Sequence, residues 1–182
     1  MDRRRALELL GSLAILPALS PSELFDAGVR AHDRLAAKPR ALTDAQFATV
    51  VAAAEQIIPR TQTPGATDAN VAQFVDVMLA DWYSVPERER FVAGVDALDR
   101  RARQLHQAPF ARCTADDQRA LLRDADAEVA ALNGTAASQH WFATLKFLTV
   151  WGYCTSRLVA ESEERLTGRY DGNAPYRAAN PS

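Results

Sequence analysis

Between Trp141 and Tyr153 the chain sets Trp141, Phe142, Leu145, Phe147, Leu148, Val150, Trp151 and Tyr153 in one short stretch. A helix that is apolar nearly all round must be covered on every side, by its own domain or by a partner. Helices of this chain or of a partner must therefore cover it, and 182 residues are enough for one domain with a real core. No stretch alternates with period two for long. The expected fold is all-α: a compact helical bundle of about five main helices, with an N-terminal signal-like helix and an extended C-terminal arm.

The surrounding sequence supplies those helices. Ser22 to about Ala37 is helix-compatible through Leu24, Phe25, Val29 and Leu35, but its periodicity is weak and Lys38-Pro39-Arg40 ends it. It reads as a connecting helix or linker over 21–41. A domain over 42–166 follows, then an arm over 167–182. Thr43 and Gln46 form a capping box ahead of Phe47, Val50, Val51, Ala54, Ile57 and Ile58, which recur three and four apart. Pro59 stops that helix. Pro64-Gly65 suits a type II turn, and Asp68 is placed to cap a helix carrying Val71, Phe74, Val75, Met78, Leu79 and Trp82. Pro86 fits the first turn of a helix with Phe91, Val95, Leu98, Ala102 and Leu105. Thr114, with Asp116 and Asp117 behind it, caps a helix with Leu121, Leu122, Ala125, Val129 and Leu132. Asn133-Gly134 breaks the chain, and the last helix is expected from about Ser138 to Leu166, charged and solvent-facing after Arg157.

Residues 1–20 read as an address. Arg3, Arg4 and Arg5 precede a short apolar stretch of Leu7, Leu9, Leu10, Leu13, Ala14, Ile15 and Leu16, ended by Pro17. Such a stretch is too short to span a bilayer and suits an export signal, and consecutive arginines point to the twin-arginine route for folded proteins. Glu8 and the lack of an A-x-A site depart from that pattern. The alternative is an amphipathic helix that docks on the protein or a partner.

The formal charge of −2 leaves no basic excess for binding nucleic acid. No G-x-G-x-x-G or G-x-x-x-x-G-K run occurs, and two cysteines with three histidines are too few for the usual zinc frameworks. Ser138, His140 and Asp126 make a triad only on paper, without a nucleophile-elbow context. His106 is expected to meet carbonyls at a helix end, and His140 to sit in a first turn. Glu161, Glu163 and Glu164 read as a solvated run. Cys113 and Cys154 either form a disulfide in an oxidising compartment or stay as a loop thiol and a small buried hydrophobe. Asn133-Gly134-Thr135 matches the N-glycosylation pattern, which is common by chance.

Three segments carry a family resemblance: I-I-P-R-T-Q-T-P-G-A (Ile57 to Ala66), V-A-Q-F-V-D-V-M-L (Val71 to Leu79) and L-K-F-L-T-V-W-G-Y-C-T-S (Leu145 to Ser156). With them, over roughly residues 40–160, the chain resembles the gluconate 2-dehydrogenase subunit 3 family. Cys154 departs from the pattern, where tyrosine or another large residue is expected. The resemblance implies a non-catalytic accessory subunit that supports folding, stability and export of an FAD-dependent sugar or polyol dehydrogenase. The catalytic partner would be a glucose-methanol-choline-type flavoprotein, with a cytochrome c subunit as a further candidate partner. FAD is expected in the partner and no cofactor on this chain. The location is expected to be periplasmic or exported, with membrane association only through the complex. The alternatives are an export chaperone or helical interaction module that leaves the mature complex, and, further off, a free-standing helical enzyme. Arg60, Thr61, Thr63, Pro64 and Gly65 are the expected partner-facing loop. Trp82, Tyr83, Trp151, Tyr153, Tyr170 and Tyr176 are further interface candidates, with core packing the alternative for Trp151 and Tyr153.

Overall fold

The computed structural model describes residues 20–36 and 38–159. Among these, the chain forms helices and no strand. They are α1 (Pro21–His32), α2 (Asp44–Ile57), α3 (Val71–Asp81), α4 (Val85–His106), a 3-10 turn (Phe110–Arg112), α5 (Ala115–Ala131), α6 (Gly134–Ser138) and α7 (Trp141–Cys154). Arg3, Arg4, Arg5, Tyr170, Tyr176 and the Glu161–Glu164 run lie outside the described residues.

Helix α7 is the centre. Phe142 to Phe147 packs between neighbours with only Lys146 half exposed, and Phe147 to Gly152 is buried without a break. The cover comes from this chain itself: α3 and α4 lie along α7, with α2, α5 and α1 closing the remaining sides. Close approach to α4 depends on Gly94. A Cβ there would stand 2.0 Å from Cγ of Trp141, an overlap that neither the rigid indole nor the helix backbone can absorb.

Local chemistry explains most boundaries. Thr43 Oγ1 accepts from Gln46 N and the Gln46 side chain accepts from Thr43 N, so α2 starts where the capping box lies. Ile58, forced out of the helical region by Pro59, ends it at φ −127°, ψ 84°. Thr114 Oγ1 accepts from Asp117 N at the head of α5. At Ser84, Glu87 reaches back to the backbone N–H (2.9 Å), a start signal for α4 in addition to Pro86.

Four expectations are corrected. The helix expected from about Ser138 to Leu166 is interrupted among the described residues, first before Trp141 and again at Thr155-Ser156, after which 157–159 are helical and the remainder lies outside the described residues. Gly134, at φ +54°, opens the separate short α6, and His140 becomes the N-cap of α7, its Nδ1 accepting from Phe142 N. Helix α7 stops at Cys154, where the Thr155 and Ser156 hydroxyls donate to the Trp151 and Tyr153 carbonyls (both 2.8 Å). Asp68 does not cap α3. Asn70, in the left-handed region at φ 53°, stands at that N-cap without a side-chain bond. Gly65 has no positive φ, so Pro64-Gly65 is not a type II turn.

The fourth concerns α1, which packs into the core rather than merely connecting. Its buried face is Ala27 and Ala31, with Leu24 partly buried, while Phe25 and Val29 from the expected apolar set stay 50% and 39% exposed. Small residues let this helix approach α7 closely. Trp151 Nε1 donates to Leu24 O (3.0 Å), and His32 Nε2 donates to Gly152 O (2.8 Å). His32 also stacks on Phe74, ring centres 5.0 Å apart, and Phe74 meets Trp151 edge-on at 5.4 Å.

Candidate functional site

Helix α2 ends beside an irregular loop over 58–70, which contains the residues expected to face a partner, Arg60, Thr61, Thr63, Pro64 and Gly65. Irregular backbone must find partners for its N–H groups. Two of them come from one side chain. Glu55, in the last turn of α2, accepts from Arg60 N with Oε1 (2.8 Å), and from Thr67 N and Thr67 Oγ1 with Oε2 (2.9 and 2.7 Å). Ala66 N returns to Ile58 O (2.9 Å), which closes the base of the loop. Asp68 takes Gly65 N (2.9 Å) and the Arg60 guanidinium. From α7, Tyr153 donates its hydroxyl to Pro64 O (2.8 Å).

Gly65 is required for a different reason from the one its turn motif suggests. A Cβ there would lie 2.4 Å from Glu55 Oε1 and 2.6 Å from Arg60 N, so no side chain fits between the carboxylate and the loop it holds. Burial works against charge on Glu55. The hydrogen bonds from Thr67 and Arg60, with the Arg60 charge, outweigh it and hold the carboxyl below the usual range. Burial raises the Tyr153 phenol, which keeps the proton it donates.

Arg60, Thr61 and Thr63 are exposed together with Gln62, while Pro64 is half-buried and Gly65 buried. The loop therefore presents 60–63 outward and tucks its Pro-Gly underneath. Trp151 lies in the core at 2% exposure. Trp82 is 40% exposed at the end of α3. Tyr83 beside it is largely buried. Burial and the nearby Glu87 push its phenol well up, and its hydroxyl meets no hydrogen-bond partner among the described residues.

The groups nominated for chemistry are engaged elsewhere. Ser138 Oγ donates to Thr135 O (3.0 Å), Asp126 pairs with Lys146, and His140 Nε2 lies 3.5 Å from Glu128, so the three do not assemble as a triad. His106 meets Asp117 (Nδ1 to Oδ1, 3.4 Å) rather than helix-end carbonyls. No disulfide joins Cys113 and Cys154. Cys113 Sγ points at the Ala108 and Pro109 carbonyls. Burial, then Asp117 and Asp99, raises its pKa, which suits a thiol more than a thiolate nucleophile. A cleft of about 410 Å³ between α4 and α5 is floored by Trp141, and its walls are tied by Arg101 to Asp124 at 2.8 Å.

Two carboxylates went unassigned from sequence. Asp76, only 2% exposed, accepts from Arg40 N (2.7 Å), Ala41 N (2.9 Å) and Leu42 N (3.0 Å). An acid inside the apolar run Val71 to Leu79 was its signal, since a buried carboxylate needs donors. Glu55 had no such signal, because its partners are set by how the loop returns.

A family model described as gluconate 2-dehydrogenase subunit 3 matches residues 44–172, which spans α2 to α7 and the loop at Glu55. No curated protein and no solved structure matches the chain.

Proposed function

The chain belongs to the gluconate 2-dehydrogenase subunit 3 family, and from that premise we propose that it is the accessory small subunit of an FAD-dependent sugar or polyol dehydrogenase. In this reading the catalyst is a glucose-methanol-choline-type flavoprotein that holds FAD. The present chain binds it, supports its folding and carries it through export on the Arg3-Arg4-Arg5 signal to the periplasm. A cytochrome c subunit would take the electrons onward. The observation that carries the reading is the family match over the whole bundle from α2 onward. Two features support it. The side chains nominated for catalysis are tied into structural pairs, and the exposed 60–63 edge is held rigid from behind, as suits recognition.

The physical logic of shared export is that a flavin is loaded in the cytoplasm, so the large subunit must fold before it crosses. A signal on a bound companion can then serve both. The test is co-expression of the full-length chain with a glucose-methanol-choline-type flavoprotein from the same organism. A stoichiometric complex, with raised yield and export of the flavoprotein, is the expected result. Sugar oxidation by this chain alone would sink the proposal. Raised export without a complex afterwards would replace the subunit by a chaperone.

A further inference from the structure

The 58–70 loop has a property its sequence motif does not explain: its shape is written around one carboxylate on the preceding helix. Glu55 accepts three hydrogen bonds from the loop, two of them from backbone N–H groups at positions seven residues apart. The loop crosses so close to this carboxylate that position 65 has no room for a Cβ. Asp68 then draws in Gly65 N and the Arg60 guanidinium, and Tyr153 takes the Pro64 carbonyl. Both acids of this region thus accept from the loop's own donors. The outer run, Arg60-Thr61-Gln62-Thr63, contains no acid at all in a chain with 23 of them. Arg60 stays 66% exposed, so beyond its bond to Asp68 the guanidinium still offers donors to solvent.

Resting on the reading that this chain docks on a flavoprotein large subunit, we propose that Glu55 is the positioning residue of a docking edge at residues 60–63. That edge fits a patch of the large subunit rich in carboxylate and carbonyl acceptors. The edge offers a guanidinium, two hydroxyls and an amide on a backbone already fixed, so binding does not have to order it. Charge-assisted bonds to Glu55 are the strong element, and their loss releases both ends of the edge at once.

The test uses the full-length chain and four forms: wild type, Glu55→Gln, Thr67→Val and Gln62→Glu. Amide exchange is read on the purified chain, and complex recovery with the tagged flavoprotein after co-expression. Glu55→Gln, which keeps the volume and removes the charge, should speed exchange at Arg60 and Thr67 by about tenfold or more while α7 amides stay protected. Complex recovery should fall by about tenfold, and Thr67→Val should give a smaller effect in both readouts. Gln62→Glu should weaken the complex with no change in exchange, because an added carboxylate faces acceptors.

Unchanged exchange in Glu55→Gln overturns the positioning role. Faster exchange with undiminished complex overturns the docking edge and leaves the subunit reading standing. Gln62→Glu binding as well as wild type overturns the acceptor patch. A wild-type chain that forms no complex overturns the subunit reading together with the edge, while exchange still decides whether Glu55 shapes the loop.

Discussion

At the scale of single residues, the two carboxylates that matter most to the architecture act on backbone rather than on each other. Asp76 sits in the middle of the buried face of α3 and gathers three consecutive N–H groups at 40–42, the segment that leads from α1 into α2. A carboxyl acceptor in that position stands in for the carbonyls that a turn of regular structure would supply. Removing it leaves those donors without an acceptor, two of them part-buried and the Leu42 N–H buried, at a cost of about 3 kcal/mol. Asp76→Ala should therefore lower the urea midpoint strongly with little change in the slope, whereas a loss within about 0.5 kcal/mol would show that water replaces the carboxylate there. Glu55 is the counterpart on α2, and its depressed pKa fixes the sign of its pH effect. Its contribution is fully present above the ordinary carboxylate range and is lost as pH falls through the folded-state value. Loop amides at Arg60 and Thr67 should lose protection on acidification before those of α7 do.

At the scale of elements, α1 shows how packing overrules periodicity. Its large apolar residues suggest a face through Phe25 and Val29, yet the helix docks through alanines and Gly28, because α7 and α3 present bulky Trp151 and Phe74. Small-on-large contact lets the Trp151 indole reach the Leu24 carbonyl and His32 reach Gly152. Burial is the main influence on His32 and lowers its pKa, while the Gly152 carbonyl and Asp33 pull the other way. A lowered histidine pKa means that the unfolded chain binds the proton more readily. Stability is then fully present above the ordinary value of about 6.5 and declines as pH drops through it toward the folded-state value. Melting temperature should fall between pH 8 and pH 5 more steeply for wild type than for His32→Phe, which keeps the stack on Phe74 and cannot titrate. Equal slopes would remove His32 from the linkage.

At the scale of the whole molecule, the apolar α7 left open whether its cover was internal or a partner's, and the bundle supplies it internally. Partner binding is then not a condition for burying this helix. The chain expressed without any flavoprotein should unfold in one cooperative step with a native near-ultraviolet signal; a broad transition with strong dye binding would show that the core is incomplete alone. Much of this bundle was legible in advance. Thr43 with Gln46, Thr114 with Asp117, Pro59 and Pro86 act within one turn of themselves, so caps and stops could be read directly. Apolar residues three and four apart around Val50, Phe74, Leu98 and Leu121, one on each of four helices, mark buried faces for the same local reason. The candidate edge at 60–63 was visible as an exposed loop, but what shapes it was not. The bonds from Glu55 to Thr67 and from Tyr153 to Pro64 join residues 12 and 89 positions apart. The sequence determined most of the helices, the ends set by Thr43, Pro59, Pro86 and Thr114, and the presence of a core helix, because hydrogen bonding and side-chain period within a few residues decide those. Only the tertiary structure decided which helices cover α7, that α1 docks by its small residues, and that a carboxylate on α2 shapes the loop, because each depends on volume and charge brought together from distant parts of the chain.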